Sequence, residues 1–208
     1  MRGKLRSIIA MGLGTTTTAI MMIAGLSAAP ASAGTVKAQV THQAAATRQL
    51  YKLDYLLKWN GNAPPITAGS TRVVFAELHR CFNCSFPVGN APSKYPSSGQ
   101  FIPLSACYIP GIICLNAPVK AYPDDAHSTI RLVAQPGHFD GAGSVVTFVF
   151  SRDSAARLHL TVTGDVVNPS IPDWLDIEGA QAIWSRFARQ LALNISVYQP
   201  GCANLHCP

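Results

Sequence analysis

Six cysteines constrain this chain more than any other feature: Cys81, Cys84, Cys107, Cys114, Cys202 and Cys207, with none in the first 80 residues. An even set suits disulfide pairing, and disulfides persist only where the surroundings oxidise thiols. Spacing alone does not choose among the possible pairings. It does suggest local ones: Pro110-Gly111 would turn the chain back and bring Cys107 to Cys114, and Cys202 and Cys207 could close a small C-terminal loop. Cys81 and Cys84 then pair with each other, or two of the loops are cross-stitched. A zinc site would need a second cysteine pair at ligand spacing, and Cys202 and Cys207 with His206 match only loosely. A redox dithiol would open a helix after a strand, whereas Ser85-Phe-Pro-Val-Gly89 reads as loop. Structural disulfides are therefore expected, with no metal and no cofactor.

The N-terminus agrees with an oxidising destination. Arg2, Lys4 and Arg6 precede an uncharged apolar and threonine-rich stretch from Ser7 to Ala29, and Ala31-Ser-Ala33 offers the small residues that signal peptidase accepts. The alternative is an uncleaved anchor over Ile8 to Leu26, but the four threonines Thr15 to Thr18 dilute it. We expect residues 1–33 to be a secretory signal peptide and 34–208 to be one secreted, extracellular domain, in contact with a membrane only during export.

Charge sets few further limits. The chain carries a formal net charge of +6, and three of its sixteen basic residues lie in the expected signal. No Lys/Arg run accompanies the mild excess that remains, so nucleic acid is not an expected partner. Charged residues make up 12% of the chain, about half the usual share of about 25%. With 48% apolar residues, the chain is built for a core and not for solvated disorder.

Along the sequence, Leu50, Leu53, Leu56 and Leu57 predict a short amphipathic helix within 43–59, ended by Asn60-Gly61-Asn62. Residues 71–80, rich in Val and Phe, predict a strand. Residues 81–127 hold four cysteines and seven prolines, at 87, 92, 96, 103, 110, 118 and 123, and read as a loop-rich, cysteine-containing insertion. Strands are expected over 129–135, 144–152 and 157–164, the last two forming a hairpin across 144–164. In the last of them Leu158, Leu160 and Val162 alternate with polar residues. Ile177, Ala180, Trp184, Phe187 and Leu191 recur at steps of three and four and predict an amphipathic helix over about 174–194. Asp173, Asp176 and Glu178 near its start suit the helix dipole. Together these elements predict an α+β fold, an antiparallel sheet packed against a C-terminal helix.

Catalytic motifs are absent. The chain has no Gly-x-Ser-x-Gly elbow, no phosphate loop and no His-Glu-x-x-His. One candidate is His138-Phe-Asp140, in a glycine-rich loop before the hairpin, where His138 and Asp140 could act as an acid–base pair with His159 as a third group. The competing reading is a tight turn in which Asp140 caps and Phe139 plugs the core. Glu77 and His79 would share a strand face, as an ion pair or a polar cluster, and His127 lies beside Asp124 and Asp125 in a turn. Trp59, Tyr95, Tyr108 and Tyr122 could form an aromatic platform or pack beneath their own loops. We therefore expect a disulfide-stabilised binding module for an extracellular ligand or protein, acting through residues 81–127. The alternatives are a small secreted hydrolase or toxin using His138, Asp140 and His159, and a structural protein of the cell envelope.

Overall fold

The computed structural model describes residues 46–67, 70–109 and 113–198. The expected signal peptide and the Cys202–Cys207 pair lie outside them. Six strands, β1 (Arg48–Leu56), β2 (Gln100–Ile109), β3 (Ile113–Asp124), β4 (Thr129–Ala134), β5 (Val145–Arg152) and β6 (Leu158–Val166), form one antiparallel sheet in the order β1-β6-β5-β4-β3-β2. The long helix α3 (Asp173–Tyr198) packs on one face, with the shorter α1 (Arg72–Arg80) and α2 (Phe82–Ser85) beside it. This is the expected α+β architecture, with the hairpin β5–β6 and the C-terminal helix in place.

Alternation decides which face of the sheet is buried. Along β6, Leu158, Leu160, Val162 and Val166 point to the helix side, while His159, Thr161 and Thr163 take the other face. On α3 the apolar stripe supplies Trp184, Phe187, Leu191 and Ile195, all buried. The two surfaces meet in an aromatic cluster. Phe148 meets Trp184 edge-on at 4.9 Å between centroids, and Phe86 meets Phe187 at 5.3 Å. Trp174, on the other side of α3, is exposed.

Three segments differ from the sequence reading. Residues within 43–59 form the edge strand β1 and not a helix. Tyr51, Leu53 and Tyr55 alternate with Lys52 and Asp54, and a bulge between Gln49 and Tyr51 spoils the period at its start. Residues 72–80 form the helix α1 in place of a strand. Val73, Val74, Phe75, Glu77 and Leu78 are buried there, so tertiary packing outweighs the β-branched composition.

The disulfide-linked middle segment, 81–127, is looped from Phe86 to Gly99 but then forms the β2–β3 hairpin. Its prolines fit because of where they fall. Pro103 and Pro118 are directly opposed. The Pro103 carbonyl accepts from Asn90 at the open edge, and the Pro118 carbonyl accepts from the Gln135 N–H on the other side. Both missing N–H groups therefore face away from the β2–β3 ladder, and no bond between these strands is lost. Cys107 and Cys114 are opposed near the hairpin tip and bonded, and Cys81–Cys84 closes around α2.

Candidate functional site

The loop from Gln135 to Ser144 reaches the start of α3 through a set of short-range bonds. His138 N–H donates to the Gln135 carbonyl and Gly141 N–H to the His138 carbonyl, which closes two tight turns. Gly141 adopts φ +87°, and a Cβ there would come within 2.9 Å of the Asn168 backbone, so both its conformation and the close approach require glycine. The loop is strapped to the segment before α3. Asn168 N–H donates to the Asp140 carbonyl, and Ser170 N–H donates to the Phe139 carbonyl at 2.7 Å. Ser144 Oγ donates to the Asp140 carbonyl at 2.6 Å and accepts from Val167 N–H. These straps bring the Asp140 side chain to Asp176, in the first turn of α3.

Asp140 and Asp176 are 5% and 3% exposed and face a cavity of about 60 Å³ between the sheet and α3. Its apolar wall includes Tyr51, Val119, Leu132, Val146, Ala180 and Trp184. Tyr51 lies across Gly164, where any Cβ would collide with the ring, and its hydroxyl accepts from Trp184 Nε1 at 3.2 Å. The bare glycine lets the tyrosine lie flat against the sheet and form one side of the cavity.

Burial governs the charge in this site. Desolvation first, and then the neighbouring Asp176, push the Asp140 carboxyl up to about 8, so it keeps its proton at neutral pH and donates to the Asp176 carboxylate. Burial raises Asp176 as well, and the bond from Asp140 works against that rise. The two acids share a proton and titrate as a pair. Asp140 Oδ1 and Asp176 Oδ2 are fully buried, and no N–H or hydroxyl donor reaches either of them. His138 lies 3.8 Å from Asp140, yet the two do not form an ion pair. Burial lowers the imidazole to about 4, and its Nδ1 accepts from the Asp140 N–H at 3.0 Å. The ring is therefore neutral, with its proton on Nε2. Phe139 stacks against it at 4.7 Å.

Of the three residues singled out from sequence, the structure brings His138 and Asp140 together and leaves His159 elsewhere. His159 lies on the opposite face of the sheet, with Nδ1 2.8 Å from Asp54 and Nε2 3.2 Å from Asp153, and it does not line the cavity. Alternation along β6 imposes this, because its neighbours Leu158 and Leu160 occupy the helix face. Glu77 is fully buried on α1 and accepts from Nε and one Nη of Arg80. His79 pairs instead with Asp125, which also accepts from Tyr95. Tyr95 packs on Phe75 and Phe82, under its own loop. Among the described residues, no group of three or more His, Cys, Asp or Glu side chains is placed to hold a metal ion. Asp176 is the site residue that sequence reasoning missed. It lies four residues before Ala180, on the apolar stripe itself, and an acid on a stripe that must be buried was the available signal.

No family model matches the chain, and no curated protein does. Solved structures do resemble it. The KanY protein (ms6282) superimposes with a TM-score of 0.50 at 5% identity, over 73% of this chain and 99% of that one. The Zhui aromatase/cyclase from Streptomyces sp. R1128 gives 0.44 at 14% identity, over 72% and 92%. The major latex-like protein 151 from Panax ginseng gives 0.43 at 13%, over 69% and 95%. The fold is of the helix-grip type. At these identities the likeness concerns the course of the backbone and carries no activity across.

Proposed function

We propose that the chain is an exported binding module that takes a small, mostly apolar molecule into the cavity between the sheet and α3. The observation that carries this reading is the cavity itself, an apolar wall with one polar end formed by His138 and the paired acids Asp140 and Asp176. Pockets of this composition suit ligands with an apolar body and a single orienting group. The segment 81–127 contributes Val88, Leu104, Ala106, Ala117 and Val119 to the wall, so it serves as part of the container and not as a free recognition loop. Export is supported by the two bonded cysteine pairs and by the form of the N-terminus.

A hydrolase would use His138 as a base, but its Nδ1 is occupied by the Asp140 N–H, and Nε2 carries the proton. In this geometry His138 is a donor, which fits holding a ligand better than activating a nucleophile. The test is titration of the folded protein with 1-butanol and n-butylamine, followed by the amide shifts of Val119, Leu132, Ala180 and Trp184. At least one probe should move these signals, and Ala117→Leu, which fills the cavity from β3, should abolish the effect. If neither probe perturbs them, or if the filled variant responds equally, the reading is wrong.

A further inference from the structure

The two edges of the sheet are finished differently. On β2 the outward edge is covered. Gly89 and Ser105 exchange two backbone bonds at 3.0 Å, Asn90 Nδ2 donates to the Pro103 carbonyl, and Pro103 has no N–H to offer. On β1 the edge is bare. Leu57 N–H donates to the Leu158 carbonyl, so alternation turns the backbone groups of Tyr51, Leu53 and Tyr55 toward β6 and those of Lys52, Asp54 and Leu56 outward. Among the described residues, no hydrogen bond reaches this outward row.

We infer that this bare edge pairs with the same edge of a second copy of the chain, antiparallel, about a two-fold axis through Leu53. Charge sets the register. Lys52 and Asp54 are both exposed and project from the face of the sheet away from α3. Centring on Leu53 sets Lys52 opposite Asp54 of the second copy, and Asp54 opposite its Lys52, with their outward N–H and C=O groups meeting. A slip of two residues in one direction brings Lys52 against Lys52, and in the other Asp54 against Asp54, so both neighbouring registers are repelled. A lysine alone would guard the edge against any strand. A lysine and an aspartate two residues apart admit this one alignment.

The acid is already in position. Thr161 Oγ1 donates to Asp54 Oδ1, and His159 Nδ1 lies against its Oδ2, each at 2.8 Å. The carboxylate is still half-exposed and has acceptor capacity left for an ammonium. Lys52 has no partner of its own among the described residues. On the other face, Leu53 and Tyr55 line an open groove with Glu178, Gln181, Ala182 and Ser185 of α3. Pairing brings Leu53 against Leu53 of the second copy beside this groove. The new ladder is short, because the bulge between Gln49 and Tyr51 ends it, so the dimer is reversible.

Sedimentation velocity over a range of concentrations, on the protein as its own host processes it, tests the pairing. The wild type should show a monomer–dimer equilibrium. Lys52→Asp sets acid against acid and should weaken the dimer tenfold or more. Lys52→Pro copies on β1 the device that Pro103 supplies on β2, and it should weaken the dimer as much while leaving the melting temperature unchanged, since no bond to β6 is lost. An equimolar mixture of Lys52→Asp and Asp54→Lys sets acid against base at both positions and should dimerise where neither variant does alone. Where Asp54→Lys does not fold, the two Lys52 variants decide. A wild type that stays monomeric at every concentration overturns the inference and leaves the edge to another occupant, residues 34–45 of the same chain or a foreign strand. A dimer that either Lys52 variant forms as tightly as the wild type also overturns it, because the contact then lies elsewhere, and so does a mixture of the two folded charge variants that stays monomeric.

Discussion

At the scale of single residues, Asp140 and His138 depart from their ordinary titration in opposite directions, and the signs can be followed through to stability. The ordinary values are 3.8 for the carboxyl and 6.5 for the imidazole, against about 8 and about 4 in the fold. Between pH 4 and 6.5 the native state holds one proton more at Asp140 and one fewer at His138 than the unfolded chain does, and the two effects oppose. Between 6.5 and 8 the His138 difference is gone, and the proton held by the Asp140–Asp176 pair remains. There the native state binds the extra proton, so stability falls as pH rises, at about 1.4 kcal/mol per pH unit and by about 2 kcal/mol across the window. Asp140→Asn should remove this slope. Urea denaturation at pH 6.5 and pH 8 measures it, and an equal decline in the variant would show that another group is responsible.

Among the helices, the bond that fixes α1 joins the buried carboxylate of Glu77 to the partly exposed guanidinium of Arg80. Both guanidinium contacts are short, at 2.6 and 2.7 Å, and the Arg80 guanidinium also lies 3.8 Å over the ring of Tyr198 on α3. Ser85 on α2 lies within hydrogen-bond reach of Glu77 and accepts from Asn194 on α3, so one polar network joins all three helices. Arg80→Ala strands a buried carboxylate and should cost about 3 kcal/mol. Glu77→Gln combined with Arg80→Ala should cost less than Arg80→Ala alone, because no charge is then left uncompensated. Denaturation midpoints of the two variants provide the comparison. This network also explains what the sequence hid. Val73, Val74 and Phe75 read as a strand because β-branched and aromatic residues dominate locally, and the salt bridge that rewards a helix there lies three residues apart on the same face. By contrast β6 and α3 were legible, since in each a single clean period matches a single buried face. The pairing of Asp140 with Asp176 joins residues from two separate segments, and no local pattern could announce it.

For the molecule as a whole, the two described disulfides close loops of only 3 and 7 residues in sequence separation, so they constrain the unfolded chain little. Cys107→Ser with Cys114→Ser should cost about 2 kcal/mol by loop entropy and leave the packing of Trp184 and Phe187 intact. A melting temperature several degrees lower, with the near-ultraviolet signal of the aromatic cluster preserved, is the expected result. Collapse of that signal at room temperature would mean that the bridges hold the core together. The strand order has a consequence for how such a chain is made. β1 is the earliest strand and bonds only to β6, the last. During synthesis, that first ribbon emerges with its donors and acceptors bare and must wait for nearly the entire sheet to be made before its mate arrives. Closing this long circuit is expected to be slower than zipping neighbouring hairpins, and refolding kinetics that slow on weakening the β1–β6 pairing would show it.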